Sequence, residues 1–526
     1  MTPADLHSQL TGDREVALVD VREEGEFGAE HLLLAVNVPL GRIETEFARL
    51  VPRKAVRIVL CDDGGGEAVR AEALLKDAGY SDVSRLDGGV AAWKQAGFMV
   101  FSGVNVPSKA FGELVEHAEG TPHIEARALM ERLRAGEKVV IVDSRPMDEY
   151  RVMNIPGSTN MPGAELVYRI KTLAPDPQTT VVVNCAGRTR SIIGAQSLRN
   201  AGLENPVLAL KNGTMGWHLS GLELEQGAER IAPAPGAAQL AWAQEAAAGV
   251  ARRFGVEEVD AETVARWRGP EAGRTCFLLD TRSPEDYEAG HVPGALSAPG
   301  GQLVQATDSY VGVRNARLVL LDDDAVRAPM TASWLKQMGW GETYTARMSA
   351  FGARRESGAA PAEPLIAPPS VKTVEPAELA RQLEAGDVVV VDIADSLTFG
   401  AKHIPGAYWA VRSRFEQEAG ALPESRRYVV TSGDGLLARF AAPELARCLQ
   451  SEVHALAGGT QAWESEGRAM QAGAERLVST PNDVFYRPYD RRHGVEEAMK
   501  DYLRWEVDLV NRLDADGTLR FPTFGR

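Results

Sequence analysis

The sequence predicts an α/β protein of four tandem domains, each a mainly parallel sheet flanked by helices, with a helical C-terminal tail. The first observation is an internal repeat at a spacing of roughly a hundred residues, which indicates repeated structural units. In each repeat, short apolar runs typical of buried strands alternate with stretches of helical periodicity. The 526 residues are also sufficient for several domains that each bury a core.

Each repeat contains two apolar runs that predict neighbouring strands. The first run ends in an aspartate: Asp20, Asp143, Asp280 and Asp392. The second run leads into a loop 40 to 42 residues later, where we align Cys61, Cys185, Asp322 and Ser432. Because ligands bind at the carboxyl ends of strands in open α/β sheets, we expect both runs to deliver residues to one site.

Glycine-rich turns close three of the repeats and help to place the domains. These turns end at Trp93, Trp217 and Trp463, and the third repeat lacks one. We place the domains at residues 1–103, 120–228, 255–354 and 371–472, a linker helix at 229–254 and a helical tail at 478–526. The segments at 232–236 and 357–370 have compositions typical of semi-rigid spacers. The tail has apolar residues at helical spacing, so we expect it to dock on a domain.

Composition excludes several classes of function. The net charge of −16 argues against a nucleic-acid partner. No apolar run reaches the roughly 18 residues of a membrane-spanning helix, and the polar N-terminus does not resemble a secretory signal. We therefore expect a soluble cytoplasmic protein with no membrane partner. The four cysteines do not form a disulfide framework or a metal-binding pattern, and we expect no metal and no cofactor.

Cys185 is the principal candidate nucleophile. It opens the run CAGRTR between an apolar strand and a helix, where backbone N–H groups and the helix dipole stabilise a thiolate. The substrate-binding candidates are the five residues that follow it: Ala186, Gly187, Arg188, Thr189 and Arg190. Gly187 lets the loop curl, and the two arginines can neutralise an anionic donor.

The other cysteines are weaker candidates. Cys61 has Asp62 and Asp63 beside it, and nearby carboxylates raise the pKa of a thiol, so persulfide carriage and vestigial activity are both open for it. Cys276 and Cys448 are predicted to be inert core residues.

Several motifs in order resemble the rhodanese family of sulfurtransferases. They are the D-x-R strand end, the H-I-P-G type segment, the six-residue cysteine loop and the late G-G-x-x-x-W turn; the second domain carries Asp143, Arg145, Pro156, Gly157, Cys185 and Trp217. The resemblance implies that Cys185 takes sulfane sulfur from a small anionic donor such as thiosulfate. A persulfide then passes the sulfur to an acceptor, either cyanide or a thiol, which includes the thiol of a protein.

Departures from the family pattern limit where this chemistry occurs. Asp322 and Ser432 cannot carry sulfane sulfur as a thiolate does, so the third and fourth domains are predicted to be non-catalytic. The fourth domain also lacks the D-x-R arginine and the acidic residue after it. We therefore hypothesise loop-supporting pairs beside Asp143 and Asp20, namely Arg145 with Glu149 and Arg22 with Glu26.

Two alternative functions remain open. A cysteine phosphatase or arsenate reductase also holds a thiolate at a helix start, but its familiar loop has five residues between cysteine and arginine, whereas four separate Cys185 from Arg190. The second alternative is a sulfur-relay or scaffold protein that passes persulfide to a protein partner. A relay protein is distinguished from the other functions if a specific protein accepts sulfur faster than small thiols do.

Overall fold

The computed structural model describes residues 1–270, 272–359 and 363–522. The chain divides into two compact units. The first contains residues 18–104 and 362–486, so it joins the first and fourth domains. The second contains residues 4–17, 105–361 and 487–526, so it joins the second and third domains and the tail. Sequence reasoning left this pairing open.

The first domain has four strands and five helices. The strands are β1 (Ala17–Asp20), β2 (Val36–Asn37), β3 (Arg57–Cys61) and β4 (Asp82–Arg85), in the order β2-β1-β3-β4. The helices are α1 (Pro3–Leu10), most of which is grouped with the second unit, and α2 (Glu24–Ala29), α3 (Ile43–Leu50), α4 (Glu67–Asp77) and α5 (Gly89–Gln95).

The second domain has a five-stranded sheet. Its strands are β5 (His123–Ile124), β6 (Val139–Asp143), β7 (Thr159–Asn160), β8 (Thr180–Asn184) and β9 (Val207–Leu210), in the order β5-β9-β8-β6-β7. Its helices are α6 (Val106–Glu119), α7 (Ala126–Arg134), α8 (Met147–Val152), α9 (Glu165–Leu173), α10 (Thr189–Asn200) and α11 (Gly213–Leu219).

The third domain repeats this sheet order after the connecting helix α12 (Ala237–Arg253). Its strands are β10 (Glu257–Glu258), β11 (Cys276–Asp280), β12 (Leu296–Ser297), β13 (Arg317–Asp322) and β14 (Glu342–Arg347), in the order β10-β14-β13-β11-β12. Its helices are α13 (Ala261–Arg268), α14 (Pro284–Ala289), α15 (Gly300–Gln305) and α16 (Arg327–Met338).

The fourth domain has the same architecture and is followed by the tail. Its strands are β15 (Thr373–Val374), β16 (Val389–Asp392), β17 (Tyr408–Trp409), β18 (Arg427–Thr431) and β19 (Glu452–Leu456), in the order β15-β19-β18-β16-β17. The helices are α17 (Pro376–Ala385), α18 (Ser396–Ala401), α19 (Phe415–Glu418), α20 (Leu436–Leu449) and α21 (Gly459–Ser465), and the tail forms α22 (Val495–Asp516).

The predicted fold class is confirmed. Adjacent strands in all four sheets run parallel, and helices cover the sheets. The apolar runs that ended in aspartate form the buried strands β1, β6, β11 and β16. Burial on both faces explains why these runs are continuously apolar rather than alternating. Within the described residues, no helix has both the length and the apolar character needed to cross a bilayer.

The helix α12 is part of a core and not a spacer. Its residues Ala243, Ala247 and Val250 are buried in the same cluster as Val183 of the second domain and Val326 of the third. An alanine-rich helix suits this position because small side chains allow close approach on both sides. The segment predicted as a linker helix thus forms α12, and this helix packs against the two domains that it connects.

Buried polar contacts join the paired domains inside each unit. In the second unit, the indole Nε1 of Trp334 donates to Ser197 Oγ at 2.8 Å. In the first unit, the guanidinium of Arg412 makes two hydrogen bonds to the carboxylate of Glu44, at 2.7 and 2.8 Å. Both pairs are buried, so each unit behaves as one packed body rather than two loosely tethered domains.

Candidate active site

The candidate active site lies at the carboxyl end of the second domain's sheet. Strand β8 is buried along its whole length and is followed directly by Cys185, and α10 begins four residues later. The end of β6 lies beside it, because Asp143 and Asn184 are register partners. The two runs therefore meet at one edge of the sheet, as the sequence predicted.

The equivalent loop of the third domain indicates what kind of group the Cys185 loop binds. Asp322 occupies the position of Cys185, and its carboxylate accepts three backbone hydrogen bonds, from Ala325 at 2.9 Å, Val326 at 2.8 Å and Ala328 at 3.1 Å. Convergent N–H groups of this kind form an anion-binding concavity. We call this set of loop N–H groups the cradle. Its occupation by a carboxylate indicates that the loop geometry suits an anion.

The structure corrects the alignment of Cys61. This residue is the last of β3, and its carbonyl accepts from the N–H of Val21 at 3.1 Å, as the carbonyl of Asn184 accepts from Ser144 at 2.9 Å. Cys61 therefore matches Asn184, one residue before the catalytic position. A strand that happens to end in cysteine produced the apparent match.

Asp62 occupies the cradle of the first domain. Its carboxylate accepts backbone hydrogen bonds from Gly64, Gly66 and Ala68 at 3.0 to 3.3 Å. The Cys61 thiol is buried beside it, and burial, reinforced by the charge of Asp20, raises its pKa well above the ordinary value. The first domain thus has a carboxylate where the second has its thiol.

The Cys185 thiol is only 2% exposed. Its Sγ lies 3.5 Å from Ser191 Oγ, which in turn donates to the carbonyl of Arg188 at 2.7 Å. Burial raises the pKa of the thiol, and the opposing influence of Arg190 and Ser191 does not reverse that shift. Burial of the thiol therefore opposes the thiolate that the sequence predicts, while Arg190 and Ser191 favour it.

Arg145 supports the loop, but through a partner other than the predicted one. Its guanidinium binds the carboxylate of Asp143 at 2.8 and 2.9 Å and the carbonyl of Met153 at 2.5 Å. Asn184 also donates to Asp143, at 2.8 Å. The hypothesis that Arg145 pairs with Glu149 was wrong.

The corresponding pair in the first domain was also assigned to the wrong partner. Arg22 binds the Asp20 carboxylate, with N···O distances of 2.6 and 3.0 Å. Glu26 instead binds Arg414 of the fourth domain at 2.9 Å. In both domains the D-x-R arginine folds back onto its own aspartate, which lies two residues away at the strand end.

Glu149 binds Arg190 through two hydrogen bonds of 2.7 Å. Burial alone would raise the pKa of this carboxyl, but the Arg190 charge and hydrogen bonds hold the pKa at about 2. Arg190 also donates to Gln302 of the third domain at 3.1 Å. Its charge near Cys185 is therefore largely compensated before any substrate binds.

Arg188 points away from the thiol toward α6. It makes two hydrogen bonds of 2.7 Å to Glu113 and a further one to Glu116. Thr189 is buried against the same helix, because a Cβ on Gly112 would lie 2.7 Å from its Cγ2. Arg188 thus anchors the loop, and neither predicted donor-binding arginine is free of a carboxylate partner.

The turn before α11 holds the other side of the loop. Gly213 has a φ of +56°, and a Cβ there would lie 2.2 Å from the carbonyl oxygen of Cys185. Thr214 donates its N–H to that carbonyl at 2.8 Å, and Met215 donates to the carbonyl of Ala186 at 3.1 Å. Only glycine fits this close backbone approach, which explains the glycine-rich turn noted in the sequence.

The tail helix α22 covers the loop, and sequence reasoning did not identify this contact. Met499 and Leu503 pack with Ala186 and Met215 in one buried cluster. Farther along the helix, a Cβ on Gly187 would lie 2.8 Å from Glu506 Oε2. The expected docking of the tail on a domain is confirmed, and the surface it docks on is the candidate active site.

The fourth domain retains the fold of the site without its chemistry. Ser432 Oγ accepts one backbone hydrogen bond, from Ala438 at 3.2 Å. Ala394 replaces the D-x-R arginine, so Asp392 is buried without that partner, and burial raises the pKa of Asp392 to about 7. The loop of this domain therefore has no thiol at the aligned position and lacks the charge pair that supports the loop in the others.

The two remaining cysteines lie away from any cradle. Cys276 is the first residue of β11 and Cys448 lies in α20, and both pack against core clusters while keeping part of their surface exposed. Burial raises the pKa of Cys276 to about 11. This packing is consistent with the inert role predicted for them.

Comparison with known proteins places these features in a family. Residues 2–96, 125–220, 262–348 and 375–466 match the rhodanese-like domain. The structure matches the crystal structure of a thiosulfate sulfurtransferase from Pseudomonas aeruginosa, which is 48% identical, with a TM-score of 0.94 and 99% of each chain covered.

Curated relatives match smaller parts of the chain. A thiosulfate sulfurtransferase from Azotobacter vinelandii is 26% identical over 228 residues, which are 36% of this chain and 83% of that protein. The HTH-type transcriptional regulator Rv0324 of Mycobacterium tuberculosis is 37% identical over 113 residues, which are 21% of this chain and 48% of the regulator. The chain thus spans about half the length of that relative.

Proposed function

The chain belongs to the rhodanese family, and we propose that it is a sulfurtransferase whose sulfur carrier is Cys185 of the second domain. One observation supports this choice above the others. Of the four cysteines, all of them in the described part of the chain, Cys185 alone lies at the position where the loop N–H groups converge. The aligned residues elsewhere are Asp62, Asp322 and Ser432.

The proposed reaction is a double displacement. The Cys185 thiolate attacks the outer sulfur of an anionic donor such as thiosulfate, and sulfite leaves with the electron pair of the broken S–S bond. The persulfide then gives its outer sulfur to a thiol or to cyanide, and Cys185 recovers its thiolate. The cradle N–H groups balance the negative charge that both half-reactions place on sulfur.

The loop residues then have distinct proposed roles. Residues 186–190 supply the backbone that surrounds the sulfur. Arg188 holds this backbone against α6 through Glu113, and Arg190 places a positive charge beside the thiol while paired with Glu149. Asp143 and Arg145 fix the strand end behind the loop. Donor binding therefore depends mainly on N–H groups, with the arginines as positioning residues.

Mass measurement tests the assignment directly. After exposure to thiosulfate, the intact wild-type protein should gain about 32 daltons, the mass of one sulfur held as a persulfide. Cys61→Ser should retain this adduct and Cys185→Ser should lose it. Cys276→Ser is a matched control that removes a thiol outside any cradle. An adduct that survives Cys185→Ser and disappears in Cys61→Ser would overturn the proposal.

The geometry gives less support to a phosphatase or arsenate reductase. Such enzymes use the loop arginine to hold a tetrahedral oxyanion, whereas Arg190 is occupied by Glu149 through both of its terminal nitrogens. Phosphate-ester hydrolysis assayed beside thiosulfate-dependent sulfur transfer separates the two classes. We expect sulfur transfer alone, and its loss in Cys185→Ser.

A further inference from the structure

The tail helix α22 delivers a carboxylate to the Cys185 loop. Glu506 is 2% exposed and lies against Gly187, two residues from the thiol. Its Oε1 accepts a hydrogen bond from Tyr502 Oη at 3.2 Å. Its Oε2 is buried and has no hydrogen-bond partner within the described residues. A buried carboxylate oxygen without a partner is costly unless a ligand or a proton satisfies it.

The charges around this carboxylate argue against a purely structural role. Arg188, the loop arginine whose charge acts on Glu506, is already bound by Glu113 and Glu116. Lys109 of α6 lies with its Nζ 5.4 Å from the centroid of the Tyr502 ring and 5.0 Å from that of the Trp505 ring. The Lys109 charge opposes the effect of burial on the pKa of Glu506. Glu506 therefore places a partly ionised carboxyl group beside a loop whose family chemistry handles anions.

We propose that Glu506 is a catalytic residue of the second half-reaction, where it accepts the proton of a neutral thiol acceptor. This inference rests on the proposed persulfide at Cys185. It deepens that function by naming the acceptor class, a protonated thiol, and the group that activates it. The main support is the position of Glu506 Oε2. This oxygen has no hydrogen-bond partner within the described residues, and the tail helix α22 holds it against Gly187.

The thiol proton moves to Oε2 of Glu506, and the acceptor sulfur forms a bond to the outer sulfur of the persulfide. The bond between that sulfur and Cys185 Sγ breaks, and its electron pair remains on Sγ as the thiolate. The proton then passes from Glu506 to the terminal sulfur of the product, a hydropersulfide, and the carboxylate is restored.

A carboxylate base suits this site for an electrostatic reason. A thiolate arriving from solution would meet both the anionic persulfide and the carboxylates around it, whereas a neutral thiol meets no such repulsion. Burial raises the pKa of Glu506 to about 7, so a substantial fraction is ionised at neutral pH and can accept a proton. A carboxyl with an ordinary pKa would be too weak a base for a thiol.

The test compares acceptors in Glu506→Gln, a change that preserves shape and removes the titratable group. Persulfide formation from thiosulfate is measured first, by mass, in a single turnover. Transfer to a thiol such as glutathione should then fall by at least about tenfold, within the range of general-base contributions. Transfer to the sulfite dianion, which has no proton to lose, should be unchanged or faster when it is measured at alkaline pH. Glu497→Gln, on the exposed face of α22, should behave as wild type.

The pH dependence gives an independent readout. The ratio of the wild-type rate to the Glu506→Gln rate, measured with one thiol, should rise through about pH 7, because the base form of Glu506 accumulates there. A ratio independent of pH, or equal losses with thiol and sulfite, would overturn the inference. If no persulfide forms in the wild type, the proposed function itself fails, and that outcome is distinguishable because it precedes the acceptor step.

Discussion

At the scale of single residues, the site is a set of charges that are already paired. Arg145 with Asp143, Arg190 with Glu149 and Arg188 with Glu113 form three ion pairs around one thiol. These pairs fix the loop backbone, and they leave the N–H groups as the main uncommitted donors. The site therefore depends more on backbone shape than on free cationic side chains.

Breaking the innermost pair should destabilise the second unit. Arg145→Ala leaves Asp143 buried and deprived of its guanidinium partner, which costs roughly 3–5 kcal/mol for a buried pair. Thermal unfolding measures the loss of stability, and hydrogen exchange of the β6 and β8 amides shows whether it is centred on these strands. Arg151→Ala is the control, since that arginine is half exposed and pairs at the surface. Equal stability of the two variants would contradict the prediction.

Asp392 makes the stability of the first unit depend on pH. Burial raises its pKa from 3.8 to about 7 in the folded state, so the folded form holds a proton that the unfolded form has lost. Stability from this group is present in full below about pH 4 and is lost as pH rises through about 7. Asp392→Asn should therefore gain stability relative to wild type between pH 4 and pH 8.

The measurement is the denaturant midpoint of both proteins across that pH range. Asp20→Asn is the comparison, because Asp20 has the Arg22 partner that Asp392 lacks and its loss should destabilise the fold. If the difference in denaturant midpoint between the wild type and Asp392→Asn does not change with pH, Asp392 is not the titrating group.

At the scale of secondary-structure elements, the decisive contact is that of α22 with the loop. Leu503→Ala removes apolar packing against Ala186 and Met215, and truncation of a buried leucine typically costs about 2–5 kcal/mol. The helix should then open more often, and alkylation of Cys185 by iodoacetamide should be faster. Val507→Ala, at an exposed position of the same helix, should leave the rate unchanged. Equal rates for both variants would show that α22 does not limit access.

The strands were predictable because their signals are local. An apolar run that ends in aspartate and a later apolar run fix two adjacent parallel strands, and β6 and β8 are found there. The exact register of a strand is harder to predict than the presence of the strand. The alignment placed Cys61 one residue too early, and the hydrogen bonds of Val21 and of the Asp62 carboxylate show that Asp62 is the aligned residue.

Partners across the fold were not predictable from spacing. Glu149 lies four residues after Arg145 in the sequence, yet its carboxylate binds Arg190. The two residues come near each other because α8 and α10 follow the neighbouring strands β6 and β8. The same limit applies to Glu506, since helical periodicity indicates an apolar face on α22 but not the loop that it covers. Such contacts depend on tertiary packing, which a single sequence does not encode locally.

At the scale of the whole molecule, the proposed sulfur carrier lies in only one of the two units. The second contains the Cys185 loop, its third-domain neighbour and the tail, whereas the first contains the aligned residues Asp62 and Ser432. Arg412→Met should break the buried pair with Glu44 and lower the unfolding temperature of the first unit. Persulfide formation at Cys185 should be unaffected at temperatures where this variant remains folded.

Calorimetry together with mass measurement tests this division. Arg327→Met is the counterpart in the second unit, where Arg327 bonds to Glu165, and it should lower both stability and sulfur loading. If Arg412→Met abolishes the adduct while the variant stays folded, the roles are not separate.

The carboxylates of Asp62 and Asp322 have a consequence for competition among dissolved ions. Each is tethered beside its own N–H groups, so its effective local concentration far exceeds that of any free solute. Sulfate, phosphate or a donor molecule would have to displace the Asp62 or Asp322 carboxylate from the loop N–H groups of the first or third domain. Inorganic oxyanions soaked into crystals should accordingly gather at the two loops that have no carboxylate at this position, those of Cys185 and Ser432.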